Sequence, residues 1–235
     1  VIDLIYGLPG QTMEVWEQDL ADLVSSGVDG ADLYQLNVFD GSDLNRDIAS
    51  GKVPPAATTS MQGDMFEFGR TYLEARAYRR LSAAHWSANN RERSLYNILA
   101  KAGVPMFPFG SGAGGNVDGY GMMLHRALKP YEDMVSRGEK PFMALMKQSD
   151  LQPFVNQVVS QLEQGYLNIN TLVSMDSRLD ELDWLYKLWE KRGLVSFNGL
   201  LYKLTAAGEF WTVNITQSTL EAVEDIITGK NSVAL

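Results

Sequence analysis

The chain switches between two hydrophobic periods. Ile2-Asp3-Leu4-Ile5-Tyr6 is a nearly continuous apolar run of strand length. Gly7-Leu8-Pro9-Gly10-Gln11-Thr12 breaks it with turn formers. Beyond the turn, Val15, Trp16, Leu20, Leu23 and Val24 keep helical spacing, with Thr12 as N-cap, Glu14 suited to the dipole and Gly27 as the stop. A second strand is predicted over 33–39. Strand, helix and strand with short connections make the unit of a parallel sheet, open or closed into a barrel. Ligands of such sheets sit at the carboxyl ends of the strands, here 6–12 and 37–42.

Pro54 and Pro55 mark a loop, and 58 to about 81 reads as a long helix burying Met61, Met65, Phe68, Tyr72 and Leu73. A polar stretch at 87–93 leads through an apolar segment to the glycine run 110–115. The texture changes around 138–153, and a domain boundary is placed between 145 and 146. Beyond it, Leu179, Leu182, Leu185 and Leu188 stripe a helix at 176–192 that Gly193 stops. Asn198-Gly199 between two apolar runs is a strong hairpin signal, and a helix is expected after Thr205. Helices, a β-wing and a further helix suggest a small winged-helix-like module over 146–235.

Composition narrows the function. Of 235 residues, 45% are hydrophobic and 21% charged, values of a globular protein rather than a disordered one. Twenty Lys and Arg against 29 Asp and Glu give a net charge of -9, which disfavours nucleic acid and anionic membranes. Residues 176–235 of this module carry six basic and nine acidic side chains, the wrong sign for contacting phosphates. No apolar stretch approaches the roughly 20 residues of a spanning helix, and no signal-peptide pattern opens the sequence. A cytoplasmic location fits. Cysteine is absent, so these residues supply no thiolate nucleophile and no Cys-ligated metal. The opening strand reads as already in progress, so the chain is expected to be the C-terminal part of a longer polypeptide.

A few residues could carry chemistry. Asp3 is a carboxylate inside an apolar strand, costly to bury without a partner; it suits either hydroxyl recognition in a barrel lumen or a structural ion pair. Gly110–Gly115 lacks the spacing of a dinucleotide fingerprint and the lysine of a P-loop, yet its bare backbone lets a flat ligand or another segment come close. His85 stands beside Trp86, with Arg91 and Arg93 following; such groups could bind carboxylates or shuttle a proton, or could equally be solvated surface residues. Ten Met suit a pliable apolar pocket or ordinary core filling.

The segment Asp3-Leu4-Ile5-Tyr6-Gly7-Leu8-Pro9-Gly10-Gln11-Thr12 resembles a hallmark of radical S-adenosylmethionine (SAM) enzymes of the oxygen-independent coproporphyrinogen III oxidase superfamily. Asp32–Phe39, His85-Trp86, Arg91–Asn97 and Phe109–Gly115 are similar to its heme-utilisation (HutW/ChuW-like) branch. The resemblance implies an α/β fold: the C-terminal half of a partial TIM-like (β/α)6 barrel plus the small C-terminal module. It implies SAM as cosubstrate, cleaved to a 5′-deoxyadenosyl radical by a 4Fe-4S cluster whose cysteines would lie upstream of Val1. The implied reaction is porphyrin methylation and ring opening with iron release; coproporphyrinogen decarboxylation and non-catalytic heme trafficking are the alternatives. Asp3, Ile5, Asn37 and Val38 fall on the implied SAM side. His85, Trp86, Arg91, Gly112 and Gly114 are candidates for the tetrapyrrole side. A flavodoxin or ferredoxin is the implied electron donor, and this chain alone is expected to be inactive.

Overall fold

A computed structural model describes residues 1–229. In chain order the elements are β1 (Ile2–Tyr6), α1 (Met13–Ser25), β2 (Gly30–Gln35), α2 (Asp43–Ala49), α3 (Thr59–Glu74), β3 (Arg79–Arg80), β4 (His85–Ser87) and α4 (Leu95–Lys101). Then follow β5 (Gly114–Val117), β6 (Tyr120–Leu124), α5 (Leu128–Ser136), β7 (Phe142–Lys147), α6 (Gln152–Glu163), β8 (Tyr166–Leu167) and α7 (Ile169–Val173). A 3-10 turn (Ser177–Glu181) precedes α8 (Leu182–Lys191), β9 (Val195–Phe197), β10 (Tyr202–Leu204), α9 (Ala206–Phe210) and α10 (Thr212–Thr228). Two compact units interleave along the sequence. The first comprises Val1–Ser94, Leu162–Leu167 and Trp184–Ile215; the second comprises Leu95–Gln161, Asn168–Asp183 and the segment from Thr216.

The first unit is built on a four-stranded sheet in the order β1-β2-β4-β3. β1 and β2 run parallel, from Ile2 opposite Ala31 to Tyr6 opposite Gln35, with α1 as the crossover. β4 joins β2 antiparallel, and β3 joins β4 likewise. Side chains alternate across a strand, which gives this sheet two unlike faces. One carries Leu4, Tyr6, Ala31, Leu33 and Trp86 into a core with Trp16, Leu20 and Leu23 of α1 and Met65, Phe66 and Leu73 of α3. Trp16 is completely buried, and its Nε1–H donates to the Met65 carbonyl at 2.8 Å. The other face carries Asp3, Ile5, Asp32, Tyr34 and His85. Among the described residues no strand pairs with the outer edge of β1, where Ile2 and Ile5 are exposed.

Several boundaries differ from the sequence pattern. The second strand starts at Gly30 and ends at Gln35, because it must align with β1 on one side and β4 on the other. The helix predicted to about residue 81 ends at Glu74. Ala77 then adopts a left-handed φ of 62°, and the chain turns back to place Arg79 and Arg80 in the sheet. Local helical propensity is overridden by strand pairing. Thr12 does cap α1, accepting from Val15 N, and Gly27 ends it at φ 69°.

The same unit contains the expected hairpin. Asn198 N donates to the Leu201 carbonyl at 3.2 Å, and Gly199 supplies φ 90°. β8 adds a third strand, giving the order β8-β10-β9. Thr205 caps α9, but Trp211 interrupts the helix before α10 begins. Arg80 of β3 and Glu209 of α9 form an ion pair at 3.0 Å.

The second unit holds a three-stranded antiparallel sheet, β5-β6-β7. The end of the glycine run, Gly114 and Gly115, lies in this sheet as the start of β5. A Cβ on Gly115 would lie 2.3 Å from the Met106 carbonyl, so only glycine permits the bridge between Met106 and Asn116. Among the described residues, no helix is long and apolar enough to cross a membrane.

Candidate functional site

The turn after β1 is held from within. Gln11 is buried, and its Oε1 accepts from Gly7 N at 2.8 Å and Leu8 N at 3.2 Å. Its Nε2 donates to the Ile5 carbonyl and to Asp19 Oδ2 at 3.3 and 3.1 Å. One side chain thus fixes both the strand end and the start of the loop. Gln62 of α3 performs the matching task for β2: its Nε2 donates to the Leu36 carbonyl at 3.0 Å and its Oε1 accepts from Gln35 Nε2 at 2.8 Å. Gly7 sits at φ 86°, and a Cβ there would meet Gln62 Nε2 at 2.7 Å. The two parallel strands therefore end side by side, with rigid carboxyl-terminal loops.

Below these loops, on the face opposite the helices, the register aligns Asp3 with Asp32 and Asp32 with His85. One step nearer the loops, Ile5 lies opposite Tyr34, and both are exposed, by 42% and 44%. The result is a row of polar groups under a row of apolar ones. His85 is buried, with Nδ1 at 2.9 Å from Asp32 Oδ1 and Nε2 at 3.3 Å from Glu92 Oε1. Glu92 also accepts from Ser94 N.

Charge here is unbalanced: Asp32 and Glu92 flank one imidazole, and Asp3 lies beyond Asp32 on β1. Burial pushes the Asp32 carboxyl above its ordinary value; His85 opposes this by hydrogen bond and charge, while Asp3 and Glu92 add to it. Burial, with Asp32 and Asp3, likewise raises the Tyr34 phenol. Paired acids in a partly buried setting are suited to accepting hydrogen bonds from hydroxyl groups and to attracting a cation.

The sequence candidates distribute unevenly. Asp3 and Ile5 are adjacent on the open face. Asn37 and Val38 follow β2 in irregular chain; Asn37 is exposed and donates to the Gln35 carbonyl at 3.3 Å. His85 joins the Asp3 row, with both ring nitrogens directed at carboxylates. Trp86 points the other way, 1% exposed in the helix-side core, because adjacent strand residues face opposite sides. Arg91 is exposed, 3.5 Å from Asp29 Oδ2. Gly112 and Gly114 belong to the second unit, Gly112 at φ 76°. Asp32, Tyr34 and Glu92 were not among the candidates. The signal for Asp32 was present, since it is a carboxylate preceding an apolar run, as Asp3 is within one, but the predicted strand began one residue too late to include it.

Comparison with known proteins adds relatives to this geometry. No protein-family profile matches the chain. It is 33% identical over 225 residues to anaerobilin synthase of Escherichia coli O157:H7, covering 95% of this chain and 50% of that protein. Over 143 residues it is 24% identical to the heme chaperone HemW of Bacillus subtilis (strain 168), covering 60% of this chain and 37% of that one. A mitochondrial radical S-adenosyl methionine domain-containing protein 1 of Mus musculus is 32% identical over 88 residues, 37% of this chain and 20% of its own. The chain thus spans about half the length of anaerobilin synthase. Among solved structures, the radical SAM coproporphyrinogen III oxidase HemN of Escherichia coli superposes with a TM-score of 0.69 at 18% identity, over 92% of this chain and 54% of its own. The partial-barrel fold implied by the opening ten residues is therefore the fold observed, and along 95% of its length the chain is similar to half of anaerobilin synthase.

Proposed function

We propose that this chain is part of a radical SAM enzyme that degrades heme without oxygen, methylating and opening the porphyrin and releasing its iron, and that it supplies one wall of the cosubstrate site. The observation that carries the reading is the 33% identity to anaerobilin synthase sustained over 95% of the chain. The open face of β1 and β2 supports the cosubstrate part. Asp3 offers a carboxylate to ribose hydroxyls, and exposed Ile5 and Tyr34 offer an apolar platform to a base. The loops fixed by Gln11 and Gln62 bring bare backbone to the same strand ends. This donor and acceptor set fits a nucleoside. Asn37 and Val38, next along from β2, are proposed as the adenine edge.

When bound, SAM supplies the methyl group and the radical chemistry. This chain binds and orients it. A 4Fe-4S cluster is a different matter. With no cysteine, the residues present do not fit it, and its ligands would have to come from outside this sequence. Arg91, exposed and bidentate-capable, and the glycine turn at Gly112 and Gly114 are proposed for the tetrapyrrole side, Arg91 toward propionate carboxylates. A flavodoxin or ferredoxin is proposed as electron donor, and the fragment alone is proposed to be inactive.

The test is an anaerobic reaction of the full-length protein with SAM, reductant and either heme or coproporphyrinogen III. Loss of the heme absorbance with appearance of a methylated linear tetrapyrrole supports the proposal. Decarboxylation of coproporphyrinogen III instead selects the oxidase reading, which the HemN fold favours. Stoichiometric heme binding without turnover selects a trafficking role, favoured by the likeness to HemW.

A further inference from the structure

The His85 imidazole meets a carboxylate on each side, and a neutral ring can satisfy only one of them. Its side chain is 4% exposed, and Nδ1 lies 2.9 Å from Asp32 Oδ1. An ionised carboxylate only accepts, so Nδ1 carries the proton of that bond and the neutral ring keeps a lone pair on Nε2. Nε2 faces Glu92 Oε1 at 3.3 Å, yet it has no hydrogen-bond partner among the described residues. A lone pair buried against a carboxylate is two acceptors with no proton between them, which is costly. A second ring proton turns the same contact into a charge-assisted pair. Nearby groups do not supply that charge. On the His85 face β1 carries Asp3, and β2 carries Asp32 and Tyr34. Arg79 of β3, level with Ser87, donates to Asn90 Oδ1 at 2.8 Å. Among the described residues, no lysine or arginine pairs with Asp32 or Glu92.

Glu92 in turn holds the far end of the loop 88–94. Its side chain passes over Gly30, where a Cβ would lie 2.8 Å from Glu92 Cγ. The oxygen that faces Nε2 also accepts from Ser94 N. Ser94 is buried at a left-handed φ of 50°, a conformation that a non-glycine residue keeps only where its surroundings hold it. The near end of the loop is tied separately. Asn89 Nδ2 donates to Asp29 Oδ1 and Arg91 N donates to Asn89 Oδ1, both at 2.8 Å.

We propose that His85 and Glu92 form a proton-operated latch: a proton on Nε2 closes the pair and fixes Glu92, Ser94 and the loop 88–94 against β4, and its loss releases them. Imidazole is the side chain that ordinarily changes charge between about pH 5 and 8. The latch is therefore closed at the acid end of that range and open at the alkaline end. The loop carries Arg91 and Arg93, both exposed, and the closed latch fixes the backbone that presents them. The consequence for an anionic ligand rests on the tetrapyrrole reading of Arg91 above; the latch itself does not.

The experiment is hydrogen–deuterium exchange of the full-length protein, read by mass spectrometry at about pH 6 and about pH 8 and corrected for the intrinsic rate. Protection of the peptide spanning 88–94 is expected to fall about tenfold between the two, as for loss of one hydrogen bond to a charged group, while α1 stays within about twofold. Equal protection at both pH values overturns the proposal, as does a fall that α1 shares; this arm needs no variant. Glu92→Gln removes the facing carboxylate and should hold loop protection within about twofold across the same range. His85→Asn, which keeps a donor to Asp32 but no titrating nitrogen, should do likewise. A tenfold fall retained in either variant overturns the latch. Heme titration at the same two pH values separates the two levels. Heme affinity should weaken about tenfold toward the alkaline end in the unaltered protein and not in Glu92→Gln. Loop protection that responds to pH without this change in affinity supports the latch and overturns only the role of Arg91.

Discussion

Arg80 and Glu209 meet at 3.0 Å with side chains only 11% and 18% exposed, joining the edge of the large sheet to the short helix after the hairpin. The pair is incompletely satisfied. Arg80 Nε and Glu209 Oε2 lack hydrogen-bond partners among the described residues, and Arg70 Nε approaches Oε2 only to 4.0 Å. Burial lowers the Arg80 pKa and raises that of Glu209, against the pull of each on the other. Desolvation outweighs attraction here, as expected for buried pairs.

Breaking the pair from one side therefore costs more than removing it. Arg80→Met should destabilise the fold by about 3–5 kcal/mol by stranding a buried carboxylate, whereas Arg80→Met with Glu209→Leu should recover most of that loss. Urea denaturation of the single and double variants checks this. Additive losses would show that the pair is not a coupled unit.

Stability should also respond to pH with a defined sign. Asp32 and Glu209 have folded pKa values raised by burial, so above the ordinary carboxyl range the folded state binds more protons than the unfolded one. Stability then falls as pH rises through that window. Asp32→Asn and Glu209→Gln should each flatten the fall. Asp176 acts oppositely: Arg178 hydrogen bonds lower it from 3.8 to about 2, so its contribution is present above 3.8 and lost as pH falls toward 2. Denaturation midpoints in steps from acid to neutral pH decide both.

Gly7 is irreplaceable for two reasons at once. Gly7→Ala forces a side chain into φ 86° and against Gln62, and should cost about 1–3 kcal/mol. Because Gln62 anchors Leu36, the same change should weaken SAM binding; a melting shift with unaltered affinity would unlink the loop from the site.

Asp3→Ala should weaken SAM binding by about 1–3 kcal/mol, the cost of losing a hydrogen bond to a charged group. Titration of the full-length protein measures it directly.

Trp86 tests the assignment of sheet faces. Trp86→Ala should cost about 3–5 kcal/mol through core loss, while Trp86→Phe should leave heme absorbance on titration unchanged. A shifted heme spectrum in Trp86→Phe would place that ring at the tetrapyrrole after all.

Much of this protein was legible in order. The ten residues from Asp3 to Thr12 specified strand, turn and capped helix, since an apolar run, Gly and Pro, and a Thr cap are each local signals. Asn198-Gly199 did the same for the hairpin. Residues 114–147 were not legible as a sheet, because Gly, Met and Asn have weak strand preference and β5 to β7 form only by pairing with one another. The end of α3 was equally hidden, as Ala77 turns left-handed only to serve the sheet beyond it.

The sequence alone therefore determined which residue types could do chemistry and that Asp3 was out of place in an apolar strand. It could not determine what Asp3 would stand beside. Register between β1, β2 and β4 put Asp32 and His85 in its row and sent Trp86 to the opposite face, and register is set by hydrogen bonds between segments up to 57 positions apart in sequence, from Gly30 to Ser87. A one-residue slip in any of these strands would have reversed the two faces, and only the packed helices α1 and α3, by burying Leu4, Tyr6, Leu33 and Trp86, forbid it.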